Sequence, residues 1–140
     1  MKIYQCLYVG ILAVFTSASV ANAQPGKADF GKREYNANCA NCHGLDGKGN
    51  GPYSDLLKKS PPNLTTLAKN NGGIFPMDRL YQSITGDNIK AHGGRDMPIW
   101  GMDYRVEAAN YYMDSKYDPE AYVRIRVLAL LEYIYRLQVK

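Results

Sequence analysis

The segment Cys39-Ala40-Asn41-Cys42-His43 carries two thiols three positions apart and an imidazole directly after the second. On helical backbone the two sulfurs lie about one turn from each other, close enough to reach both vinyl groups along one edge of a porphyrin. The histidine that follows can swing under the same ring, where its imidazole becomes an axial iron ligand. The pattern is that of covalent haem attachment through two thioethers. Two other uses of these residues are weaker. A zinc site wants four ligands, and His92 is the only other histidine in the chain. A thioredoxin-like dithiol wants a strand before the motif and an alternating strand–helix pattern, and neither is present.

An iron held on one face by His43 needs a second protein ligand if it is to cycle between two oxidation states without binding substrate. Met97 is the first candidate: it sits in a glycine-bounded loop ahead of the last helix and is followed by Pro98. A soft thioether stabilises ferrous iron and raises the potential relative to two imidazoles. His92 is the rival, because a neutral imidazole is a good iron ligand. Met102 could substitute after a shift of the loop, whereas Met77 and Met113 read as core or surface methionines. Arg95 and Trp100 flank Met97, and each could hydrogen-bond a buried propionate that would otherwise be an unpaired charge. The alternatives are a solvated loop charge for Arg95 and a core aromatic packed on the porphyrin for Trp100.

The elements that must position these groups are helices. Asp29 is placed to cap a helix over about 30–40 that delivers the cysteines. Gly44 to Pro52 is dense in glycine and reads as loop. Short helical turns are expected over 53–59 and 64–69, and a helix opened by Pro76 runs to Ile84 before Gly86. The stretch from His92 to Gly101 reads as loop by its glycines and proline. Asp118-Pro119-Glu120 is a cap, a proline at the first helical position and early negative charge. After it Val123, Val127, Leu130, Leu131, Ile134 and Leu137 recur at helical spacing, with Arg124, Glu132 and Arg136 opposite. The tyrosine-rich stretch from Tyr104 to Tyr117 has no clear core period and fits either a partner surface or a loop folded back on the cofactor. The expected fold is all-α, with several short helices and long loops wrapped around one covalent haem.

The N-terminus points to export. Lys2 precedes an apolar run from Cys6 to Phe15, and Ala21-Asn22-Ala23 reads as a small-x-small cleavage site. The run is shorter than the roughly 20 residues a bilayer span needs. Residues 1–23 are therefore expected to be a cleaved signal peptide, with 24–140 as a single domain; an uncleaved anchor is the alternative. Of three cysteines, only Cys39 and Cys42 would then remain, which leaves no disulfide framework. Loss of Lys2 lowers the formal charge from +4 to +3. So small a surplus does not steer the chain toward nucleic acid or acidic membrane. A domain of this size buries a modest core, and a large apolar cofactor would add to it.

With the haem motif, the closing helix and Met97-Pro98-Ile99-Trp100-Gly101 in hand, the chain resembles the class I (mitochondrial/bacterial-type) monohaem cytochromes c. The resemblance covers nearly all of 24–140. It implies that Gly31 and Tyr35 on the first helix meet Leu130 and Tyr133 on the last, the two helices crossing near-perpendicularly. It implies that the Pro52 carbonyl, nine residues after His43, accepts a hydrogen bond from the His43 Nδ1–H and so fixes the ligand ring. It also implies one haem c with iron between His43 and Met97.

The function expected from this is periplasmic one-electron transfer, not enzymatic catalysis, serving a respiratory chain or an exported dehydrogenase. Lys48, Lys58, Lys59, Lys69 and Lys90 could rim the haem edge. Partners would be redox proteins, a donor dehydrogenase or a terminal oxidase or reductase, with no nucleic acid and no stable membrane insertion after cleavage. A peroxidase or gas sensor would need an open distal position, against which the Met97 loop speaks. A cytochrome subunit of a dehydrogenase is a further alternative.

Overall fold

In a computed structural model, described for residues 28–87, 97–112 and 118–139, five helices carry the fold, and no strand occurs among these residues. They are α1 (Phe30–Asn38), α2 (Ala40–His43), α3 (Met77–Thr85), α4 (Trp100–Tyr111) and α5 (Pro119–Arg136). Three 3-10 turns, at Ser54–Leu56, Leu64–Thr66 and Lys69–Asn71, punctuate the long connection between α2 and α3.

Each helix starts and stops for a local reason. Asp29 accepts from the Lys32 amide and caps α1. Asp118 accepts from the Glu120 amide, with Pro119 at the first position of α5. Gly86 closes α3 in the left-handed conformation at φ 85°. The helix expected over 30–40 is broken at Cys39, whose ψ of −34° at φ −117° turns the chain into α2. That break separates the two cysteines onto the end of one helix and the body of the next.

α5 is the central beam. Val123, Val127, Leu130, Leu131 and Ile134 are buried on its inner face, while Arg124, Glu132 and Arg136 are exposed. Burying each such aliphatic side chain contributes roughly 1.5–3 kcal/mol. α1, α3 and α4 all pack on this beam. The crossing with α1 runs through Gly31, where an added Cβ would strike the backbone carbonyl of Ala129, so only glycine allows the approach. Tyr35 packs tilted against Tyr133 beside it, ring centroids 5.1 Å apart, and Leu130 is buried.

One expectation is corrected. Trp100 and Gly101 do not end a loop: they begin α4, which runs through the tyrosine-rich stretch to Tyr111. The pattern was obscured because the inward face of α4 is Gly101, Tyr104 and Ala108, while Met102 and Val106 point outward. Gly101 lies against the Thr85 backbone at the end of α3, and any side chain there would hold the helices apart. Tyr104 is thus core, whereas Tyr111 is exposed. The expected signal peptide, and Lys90, His92, Arg95, Met113 and Tyr117, lie outside the described residues.

Candidate haem site

A cavity of about 650 Å³ opens among α2, α3, α5 and the start of α4. That volume falls within the roughly 300–1,000 Å³ of cofactor-sized sites. Cys39, Cys42 and His43 line it, and so do Met97 and Trp100. Leu64, Leu67, Leu80, Ile84, Leu130 and Ile134 supply apolar wall. The two cations in the lining, Lys59 and Arg79, are both exposed, so they mark where the cavity meets solvent.

His43 is buried at the end of α2, and its Nδ1 lies 3.2 Å from the Pro62 carbonyl oxygen. In the tautomer whose Nδ1–H donates there, Nε2 carries the lone pair that would ligate iron. This corrects the expectation for Pro52, whose residue is exposed on a different surface depression. The loop's path explains the exchange. The Gly51 amide donates to Cys42 O and the Tyr53 amide to Asn41 O, pinning Pro52 to the outside of α2. The Gly49 amide donates to His43 O, and the Leu64 amide donates to Gly47 O at 2.7 Å. These bonds fold 61–64 back over the histidine. Gly49, at φ +83°, permits it because a Cβ would collide with the Pro61 carbonyl.

The motif is braced from behind. The Tyr35 hydroxyl donates to the Gly44 carbonyl at 2.7 Å, tying α1 to the residue after His43. Burial pushes the Cys39 thiol up to about 12, with the Glu34 carboxylate and Cys42 adding to the effect. Gln138 bonds both Leu64 O and the Ala68 amide, and the Val139 amide donates to Thr65 O. The chain end therefore fastens the wall that carries Pro62.

Of the methionines weighed as ligands, Met97 lines the cavity, while Met102 and Met77 are exposed on α4 and α3. Trp100 lines the cavity as well, whereas Arg95 and His92 lie outside the described residues. Among the described lysines expected at the haem edge, Lys59 lines the cavity; Lys48 instead pairs with Asp46 at 3.3 Å. Sequence reading missed Pro62 and Arg79. Arg79 lies in the first turn of the proline-opened helix α3, whose register the sequence implied, so its place on the cavity side was the one signal available.

The residues fit a covalent haem. Two thiols, a buried imidazole with an oriented ring, and a thioether share one apolar-walled cavity with a cationic rim. Among the described residues no three His, Cys, Asp or Glu side chains converge as a metal site. No described helix is long and apolar enough to cross a membrane.

No curated protein and no solved structure matches the chain. The model of the cytochrome c family does, over residues 28–120. That span includes the haem motif, Pro62, α3, Met97 and α4. Covalent haem c and haem-based electron transfer are the chemistry of that family. The chain belongs to the cytochrome c family, in agreement with its helical fold and with a class I member.

Proposed function

We propose that the protein is a one-electron carrier of the periplasm, with a single haem c joined to Cys39 and Cys42 and its iron held between His43 and Met97. The observation that carries this reading is that the thiols, the buried imidazole and the Met97 thioether line one apolar-walled cavity. Haem, when bound, supplies an iron that gains and loses one electron. The side chains do the rest. The Pro62 carbonyl orients His43 and raises its basicity as a ligand. Met97, as a soft donor, favours the reduced state. The leucine and isoleucine wall keeps water from the iron and lowers the local dielectric. Lys59 and Arg79 stand where they can neutralise propionates, a part the sequence offered to Arg95 and Trp100.

With His43 and Met97 both holding the iron, no position would be left on it for a substrate, and the protein would work as a carrier, not an enzyme. The leader-like pattern of residues 1–23 supports export. Partners are redox proteins: an exported dehydrogenase, or the oxidase or reductase of a respiratory chain.

The test is direct. Purified protein is extracted with acid acetone, and the colour should stay with the polypeptide. The oxidised form should show the near-infrared methionine–iron band. Colour lost to the solvent refutes covalent attachment, and a missing band with a low potential replaces Met97 by His92.

A further inference from the structure

We propose that the buried Glu34 and the partly buried Arg126, paired behind the cysteine-bearing wall of the cavity, set the reduction potential of the cofactor with charges of opposite effect; this rests on the haem reading above. Glu34 lies on α1 and is only 8 % exposed. Its Oε2 accepts from the Tyr104 hydroxyl at 3.0 Å, from Asn38 Nδ2 at 3.4 Å and from Arg126 Nη1 at 3.3 Å. The Arg126 guanidinium lies over the rings of Tyr104 and Tyr122, 5.2 and 4.7 Å from their centroids. Its other nitrogen donates to Glu107 at 2.8 Å, and that carboxylate is half exposed. One cation thus bridges a buried and a half-exposed anion where α1, α4 and α5 meet.

This cluster backs onto the cavity from two sides. Asn38, which bonds Glu34, and Cys39, which follows it, both line the cavity. Tyr104 lies 6.4 Å from the ring of Trp100, which also lines it. The field of Glu34 already reaches the anchoring residue, since it adds to the upward shift of the Cys39 thiol.

A buried ion pair is a poor device for stability. Desolvating both charges offsets most of their attraction, and well-packed apolar residues often do as well or better. What it does supply is fixed charge in a low-dielectric region beside a group that changes by one charge on each electron transfer. Glu34 disfavours the added electron and lowers the potential, whereas Arg126 favours it and raises the potential. At an effective dielectric near 20, a unit charge roughly 10 Å away changes such an equilibrium by about tenfold.

The experiment is redox titration of the intact haem-bearing protein and its variants at low and high salt. Glu34→Gln should raise the potential and Arg126→Gln should lower it. Each shift should be on the order of tenfold in the reduction equilibrium, about 59 mV for one electron. Arg126→Lys, which keeps the charge, should restore the wild-type value. Glu107→Gln should move the potential in the direction of Glu34→Gln but less, and salt should erase that shift while sparing the buried one. Loosening of the helix junction would push the Glu34 and Arg126 variants the same way, so shifts of like sign overturn the proposal, as does the absence of a shift in Glu34→Gln. If Arg126→Gln does not fold, the contrast between Glu34 and Glu107 decides, and a Glu34→Gln shift erased by salt refutes it. A preparation without covalent haem fails the functional reading instead, so the two failures are distinct.

Discussion

Gly31→Ala puts one methyl group at the close crossing of α1 and α5. Gly31 does not have positive φ, so alanine is conformationally allowed, and its helix propensity gains at most about 1 kcal/mol. Space decides the sign. The new Cβ would strike the Ala129 carbonyl, which belongs to the α5 backbone and cannot rotate away, and would come within 3.1 Å of the Tyr133 Cβ. Relief requires α1 and α5 to part by on the order of 1 Å, at which a contact forfeits a quarter to a half of its dispersion energy. Tyr35 and Leu130, each with 1 % exposure or less, sit at that seam. Overpacking of this kind costs about 1–3 kcal/mol, and after the propensity gain we expect net destabilisation of about 1–2 kcal/mol. For a domain of this size that lowers Tm by several degrees, about 4 °C per kcal/mol. The assay is urea and thermal unfolding followed by far-ultraviolet circular dichroism, with the denaturant slope held as a control. α5 also contributes Leu130 and Ile134 to the cavity wall, so the near-infrared ligand band should weaken in parallel. A variant as stable as the parent, with the same slope, would falsify the claim that backbone contact, not side-chain packing, sets this crossing.

Three further outcomes are expected. Tyr35→Phe removes the hydroxyl that satisfies the buried Gly44 carbonyl and should cost about 1–2 kcal/mol in urea unfolding; an unchanged midpoint would mean water replaces it freely. Met97→Ala should abolish the near-infrared band, lower the potential and let the ferrous protein bind carbon monoxide at neutral pH; a retained band points to another sulfur. Acid sensitivity should come late. Asp29 is held below its ordinary 3.8 by the Lys32 amide and then by Arg136, Asp46 by the Lys48 amide and then the Lys48 side chain, and Glu120 below 4.5 by Arg105. A folded value below the unfolded one means the stabilisation is complete above these ordinary values and is lost as pH falls through the lowered ones. The urea midpoint should therefore be level from pH 7 to about 5 and decline below about 4.5, with a shallower decline in Asp29→Asn; a fall beginning near pH 6 would assign acid lability to other groups.

Much of the molecule was legible before folding because the chemistry is local. Haem attachment needs two thiols and an imidazole within five consecutive residues, a spacing no tertiary contact has to supply. The closing helix was equally plain, since Val123 to Ile134 repeat at helical period behind an Asp-Pro-Glu start. α4 was not, because its buried face is a glycine, a tyrosine and an alanine while its apolar methionine and valine face outward. The partner of His43 was misplaced for another reason. The family resemblance pointed to Pro52, but the backbone bonds of Gly47, Gly49 and Gly51 decided which of the two prolines returns to the ring, and they chose Pro62, nineteen residues on. Cys39, Cys42, His43 and Met97 could thus be named from the chain alone, as groups whose chemistry follows from residue type. That they share one cavity, and that Glu34 meets Arg126 behind it from 92 residues away, only tertiary packing could decide. A linear pattern records which groups are available, whereas a backbone's return path and a buried charge's partner depend on long-range closure.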